Sequence, residues 1–246
     1  MAKLSVIIPA YARHPLTVRH VKESLLSTRL PDEIIVINDG GNPNLREMLL
    51  ELKPFKTKVI YTRIEQDILW NYNGACNLGF WISTGDIVII EDTDHIPTRN
   101  LYEETMKFYQ EHPECDRLAY KRNCVNIAEL AKPMEEWTWQ KNWGPNQMVA
   151  GLRRDSYIKL KGQDERFGGH YGYMCYCWKN RYNNILKIKT MKANVNYHAI
   201  IGDEGEPGLR RGMSPENRRI YRENALREHP QHPNGILNFT YSYEVL

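Results

Sequence analysis

No apolar run in this 246-residue chain reaches the ~18–20 residues that a membrane-spanning helix needs. The longest near-continuous stretches, Leu4 to Ala10 and Ile87 to Ile90, have the length of strands, so no membrane span is expected. The N-terminus runs straight into the first of them without a secretory signal's apolar core or cleavage site, which points to the cytoplasm. An excess of one charge is also missing. The 33 Lys and Arg against 30 Asp and Glu leave +3, too little to mark a nucleic-acid binder. The five cysteines are an odd number, and a chain long enough to bury a core has no need of a disulfide framework, so reduced thiols are expected. Cys175, Cys177 and His170 stand close together, but C-x-C with one His falls short of a four-ligand zinc set. No linker, charge block or internal repeat divides the chain, which reads as one domain over residues 1–246. Hydrophobic content of 41% with 11% aromatic residues excludes a disordered chain.

What is present is an alternation of strand and helix patterns. Leu4 to Pro9, Glu33 to Ile37, Lys58 to Thr62 and Asp86 to Glu91 are short β-branched runs. Between them, Pro15 opens a helix with Val18, Val21 and Leu25 on one face, Leu45 to Leu52 forms a second, and Ala75, Leu78 and Ile82 mark a third. Such alternation predicts right-handed crossovers and a doubly wound, mainly parallel sheet over about residues 1–110. The alternation weakens in about 111–205, where strands are expected at Ile185 to Ile188 and Ala193 to Tyr197 in a mixed arrangement, and about 206–246 reads as a tail.

In a sheet of this kind ligands bind beyond the carboxyl ends of the strands. Three segments fall there: Pro9-Ala10-Tyr11, Asn38-Asp39-Gly40 and Asp92-Thr93-Asp94-His95. Asp92-x-Asp94 brings two carboxylates to the end of a buried strand, where they suit a hard divalent cation and, through it, a diphosphate. A D-x-D triplet alone arises by chance about once in a chain this long, and its ordinary reading is a surface loop. Its position after a β-branched strand, one crossover from Asp39, favours the metal reading.

Five segments, in order, resemble those of family 2 glycosyltransferases with the GT-A fold. They are Leu4 to Tyr11, Ile35 to Gly40, Gly74 to Gly79, Gly85 to Asp94, and Gly162-Gln163-Asp164-Glu165-Arg166-Phe167. The resemblance spans about residues 3 to 200 and implies an α/β, GT-A-like fold with a nucleotide-binding half and an acceptor half. It further implies that Pro9, Ala10, Tyr11 and Asp39 bind the base and ribose of a nucleoside diphosphate sugar, with UDP the expected carrier. Asp92, Thr93 and Asp94 would meet the ribose and a diphosphate bound to Mn²⁺ or Mg²⁺, and His198 would be a further metal ligand. A lone His among apolar residues is otherwise a core residue.

The sequence departs from that pattern twice. The family's frequent Arg-Asn pair is Cys76-Asn77 here, which leaves Asn77 as the candidate contact to the nucleotide. The Glu-Asp pair whose Asp takes the acceptor's proton in inverting members is replaced by Met174-Cys175. An inverting transfer to a hydroxyl needs a proton acceptor. His170 and Asp164 are the candidates, and a retaining transfer without such a base is the alternative. Trp139 and Trp143, near Trp137, present flat faces suited to an acceptor sugar, with core packing the plainer reading. Six arginines from Arg210 to Arg227 are matched by as many acidic residues, as on a solvated helix, but Arg210 and Arg211 lie between glycines where a lid over a diphosphate is expected. The acceptor stays open among a glycan, a lipid-linked sugar, a protein and a modified nucleobase. Rival readings are a nucleotide-sugar-binding protein without transfer and a nucleotidyltransferase on a similar sheet.

Overall fold

The computed structural model describes residues 2–40, 44–168, 172–202, 214–224 and 240–246. Strands β1 (Leu4–Ala10), β2 (Glu33–Asp39) and β4 (Ile87–Ile90) are buried along their whole length, and β3 (Lys58–Ile64) along most of it. Burial on both faces is why these segments are continuous β-branched runs and not alternating patterns. The four strands lie parallel in the order β3-β2-β1-β4, with Ile7 between Ile35 and Ile90. Successive side chains take opposite faces. Ile7, Ile35 and Ile37 pack with Ala75 and Leu78 of α3 (Tyr72–Ile82), whereas Val6, Ile8, Ile34 and Val36 pack with Val21 of α1 (His14–Leu25) and Leu45 and Leu49 of α2 (Leu45–Leu50). Helix α3 lies close on the sheet at Gly79, where a Cβ would stand 2.4 Å from Ile7 Cγ2. This half has the doubly wound parallel arrangement expected of its sequence.

Beyond β4 the sheet turns mixed. β8 (Ala150–Arg153) is antiparallel to β4, β6 (Arg117–Asn126) is antiparallel to β8, β9 (Thr190–Ile201) is parallel to β6, and β5 (His95–Pro97) is antiparallel to β9. β7 (Trp139–Trp143) pairs with the far part of β6. Helices α5 (Arg154–Leu160) and α6 (Met174–Asn180) join α3 on one face, burying Cys76, Tyr157, Leu160 and Trp178 together. Helix α4 (Leu101–Glu111) covers the other with Tyr102 and Met106. The result is an α/β fold of the GT-A type. Among the described residues no helix is long and apolar enough to cross a membrane.

The structure corrects the sequence reading in the second half. Ile185 to Ile188 is not a strand. Arg181–Ile185 is a wide helical turn, and the Ile188 N–H donates to the Tyr182 carbonyl at 2.7 Å, so Ile188 is buried with Trp178 and Tyr182 instead of pairing in the sheet. Ala193 to Tyr197 is the middle of the longer β9. The expected tail contributes to the body of the protein. Helix α7 (Pro215–Asn224) packs Ile220 against Phe167, Met174 and Cys177, and β10 (Tyr241–Val245) extends the sheet beside β3, held by the Arg46–Glu244 ion pair.

Candidate functional site

The ends of β1, β2 and β4 open on a cavity of about 650 Å³. Pro9, Ala10, Tyr11, Asp39, Asp92, Thr93 and Asp94, all expected at the rim, line it. Trp143 joins them from β7. Asp39 is 3% exposed, and burial pushes its carboxyl up to about 7 against the bond that Asn71 Nδ2 donates to it at 3.2 Å. Thr93 Oγ1 donates to the Pro9 carbonyl at 2.9 Å, which ties the loop after β4 to the end of β1. On either side of Thr93, the two aspartates meet different partners. Asp92 accepts from the Tyr72 hydroxyl and from Asn146 Nδ2 at 2.9 Å, while Asp94 lies 2.6 Å from His95 Nδ1 and 3.3 Å from Arg13 Nη1. Burial raises Asp92, with His95 opposing the shift and Asp94 adding to it. Burial alone would lower the His95 imidazole, but the carboxylates of Asp94 and Asp92 outweigh it and raise it.

Asp92, Asp94 and His95 bring ligand atoms within 4.8 Å of one another, and they form the metal-competent group of acidic, His and Cys side chains found among the described residues. Two carboxylates and an imidazole suit Mn²⁺ and, through their oxygens, Mg²⁺. His95 Nε2 is buried and meets no hydrogen-bond partner among the described residues. The backbone is strained at this rim, as functional loops often are. Trp70 and Tyr173 line the cavity with φ of 57° and 63°, and Ala12, between Tyr11 and Arg13, has φ of 58°.

Four expected site residues lie elsewhere. His198 packs edge-on against Trp137, with ring centroids 5.4 Å apart, and does not line the cavity; His95 is the imidazole beside Asp92 and Asp94. Burial lowers His198 to about 4. Asn77 is taken up by the fold, donating from Nδ2 to the Gln163 carbonyl and accepting at Oδ1 from Tyr157 Oη and Gln163 N, each at 2.8 Å. Asp164 caps the short turn Glu165–Phe167, and both its oxygens accept from the Arg166 guanidinium, at 3.0 and 2.7 Å, away from the main cavity. Trp139 is 57% exposed on the outer strand β7 and does not line the cavity. His170, Arg210 and Arg211 lie outside the described residues. Cys177 is buried beside Phe167 and Met174, and burial raises its thiol to about 12; the metal-competent group found among the described residues does not include it.

The sequence reading missed His95 as a partner of the aspartates, and also Arg13, Tyr72, Arg122 and Asn146, which line the same cavity. His95 had a local signal, its place directly after Asp94. Arg122 and Asn146 had none, because they reach the cavity through the mixed sheet. At the opposite wall, the first turn of α6 carries no acidic residue, and Met174 and Cys175 face the cavity. Helix α7 holds that wall: Asn217 Nδ2 donates to the Gly172 carbonyl at 3.0 Å and Arg218 Nε to Tyr173 Oη at 2.8 Å.

The fold is shared with solved glycosyltransferases. Staphylococcus aureus TarS in complex with UDP-GlcNAc superposes with a TM-score of 0.61 at 14% identity, covering 80% of this chain and 58% of TarS. Mannosyltransferase PcManGT from Pyrobaculum calidifontis, in complex with GDP-Man and Mn²⁺, superposes with a TM-score of 0.57 at 15% identity, covering 85% of this chain and 59% of that one. In sequence, an uncharacterized glycosyltransferase of Haemophilus influenzae is 26% identical over 187 residues, 69% of this chain and 67% of the relative. One from Rickettsia bellii is 32% identical over 111 residues, which are 45% of this chain and only 16% of that protein. Residues 5–178 match the family described as Glycosyl transferase family 2, and with more than half of its length so matched the chain belongs to that family.

Proposed function

We propose that the protein transfers a sugar from a nucleoside diphosphate donor, with UDP the expected carrier, to an acceptor, assisted by Mn²⁺ or Mg²⁺. The observation that carries this reading is the meeting of Asp92, Asp94 and His95 at the cavity whose floor also holds Asp39. Asp39 accepts a ring N–H of the base, and Tyr11 offers it an aromatic face. Asp92 is held in place by Tyr72 and Asn146. A divalent cation on Asp94, Asp92 and His95 would offset the negative charge that the diphosphate gains as its bond to the sugar breaks. Arg13 adds a fixed positive charge beside Asp94. The wall from Gly172 to Cys175 is fastened by α7. In an inverting transfer to a hydroxyl, Asp164 is spent on Arg166 and His170 is the candidate base.

The bare first turn of α6 supports a second reading, a nucleotide-sugar binder without transfer. Binding of UDP-GlcNAc and GDP-Man, and slow release of the nucleoside diphosphate, should be followed with Mn²⁺ and with chelator, on wild type and Asp94→Asn. Release that requires Mn²⁺ and falls at least about a hundredfold in the variant is expected. Binding without release under any acceptor tried would favour the second reading, and no binding of either donor would overturn both.

A further inference from the structure

The cavity has one cationic wall that the donor reading leaves unexplained. Arg122 lies in β6, level with Trp143 of β7 on one side and Tyr197 of β9 on the other, and both Arg122 and Trp143 line the cavity. Its guanidinium is fixed at two points. Nε donates to the Gly144 carbonyl at 2.8 Å, and the plane lies over the Trp143 ring, 5.1 Å from its centroid. Lys141 Nζ is 5.0 Å from the same ring. Arg122 is half-buried, and among the described residues no carboxylate comes within salt-bridge distance of it. Burial lowers its pKa, which Cys124 and then Asp92 and Asp94, without touching it, partly restore. A guanidinium that has given up part of its hydration, is held rigid by an indole and a carbonyl, and keeps its two terminal nitrogens for the cavity is built to receive an anion bidentately. The topology says from which side. The loops that hold Asp39, Asp92 and Asp94 end parallel strands β2 and β4, whereas Arg122 and Trp143 belong to the mixed half beyond β8.

We propose that Arg122, braced by Trp143, forms an anion subsite on the acceptor side of the cavity and that the acceptor carries a phosphate or carboxylate group. This rests on the glycosyl-transfer reading and narrows it: a neutral glycan is disfavoured as the acceptor. An anion at this wall has two sources, the acceptor or the donor's own diphosphate, and the test separates them. Wild type, Arg122→Gln and Trp143→Phe are titrated first with UDP and Mn²⁺, then, when saturated with UDP, with glucose 6-phosphate and with glucose, following intrinsic Trp fluorescence and heat.

The UDP-loaded wild type should bind glucose 6-phosphate at least about tenfold more tightly than glucose. Arg122→Gln should abolish that preference with UDP affinity changed less than about twofold, and Trp143→Phe should reduce it in part. A loss of UDP affinity of about tenfold or more in Arg122→Gln would assign the residue to the donor diphosphate and overturn the acceptor-side site. Equal binding of glucose 6-phosphate and glucose to the wild type would overturn the anion subsite altogether. If UDP does not bind the wild type, UDP is not the carrier, and the same sugar titrations on the unloaded protein still decide the subsite.

Discussion

Replacing Asp39 by Asn should stabilise the protein at neutral pH while weakening the donor. Asp39 ends β2 at 3% exposure, and burial holds its carboxyl at about 7 in the folded chain against 3.8 for the free group. Below the lower value both folded and unfolded chains carry the proton, and the group is neutral in the balance. As pH rises, the unfolded chain releases the proton first, so stability falls through this window and the full penalty is reached above about 7. The gap of about three units, at about 1.4 kcal/mol each, bounds the penalty at about 4 kcal/mol. Asn has the same shape, cannot ionise, and keeps an oxygen for the Asn71 bond. Urea unfolding of wild type and Asp39→Asn at intervals of pH should therefore show a difference near zero in acid that grows to roughly 2–4 kcal/mol in favour of the variant at neutral pH. UDP affinity should fall by about tenfold or more, because the amide no longer offers a carboxylate to a ring N–H. A stability difference that does not change with pH, or a variant less stable at neutral pH, would refute the assignment of a strained, buried carboxylate.

Two further outcomes follow from packing. His198 is kept neutral by burial at about 4, below the ordinary 6.5, so its contribution is present above about 6.5 and is lost as pH falls towards 4, by at most about 3 kcal/mol. It runs opposite to Asp39 in the same window, so it should be read as the difference between wild type and His198→Phe in urea unfolding, the variant gaining relative stability in acid. Gly79→Ala should destabilise by about 1–3 kcal/mol in thermal or urea unfolding, because its Cβ meets Ile7 Cγ2 at 2.4 Å and Ile37 Cδ1 at 2.9 Å in a core with no room to give.

The parallel half was legible because its physics is local. Strands covered on both faces must be apolar at every position, and Leu4 to Ala10 or Ile87 to Ile90 admit hardly another reading. Loops at the ends of such strands follow from the handedness of the crossovers, which is why Pro9, Asp39, Asp92 and Asp94 were found to line one cavity. The mixed half was not legible. β6 reads Arg-Leu-Ala-Tyr-Lys-Arg-Asn-Cys-Val-Asn, and its strand character comes from three neighbours, β7, β8 and β9, distant in sequence. Arg122 and Asn146 therefore carried no sign of their destination. For His198 the motif and the packing point different ways. Its place in a motif suggested a ligand, but β9 places it against Trp137, while His95 reaches Asp94 through the tight turn after β4.

That turn has a foundation that explains why two aspartates can be held at one rim. Glu91, directly before Asp92, is fully buried and accepts from Tyr197 Oη at 2.6 Å and Tyr102 Oη at 3.1 Å, and it lies 2.7 Å from His20 Nε2. His20 Nδ1 faces the Thr93 carbonyl at 3.2 Å. A carbonyl only accepts, so Nδ1 is the donor there, and Nε2 is left facing the Glu91 carboxyl. The residues on both sides of Asp92 are thus pinned from beneath by α1, α4 and β9, and the Thr93 hydroxyl is pinned to β1. With the Glu91 carboxylate and the Thr93 hydroxyl committed to these partners, Asp92 and Asp94 face the cavity from a turn that the His95 N–H closes on the Asp92 carbonyl at 2.8 Å. The acidic rim is therefore a consequence of a buried polar network beneath it: the same geometry that satisfies Glu91 and His20 brings the two carboxylates together against their mutual repulsion, which a bound cation would relieve.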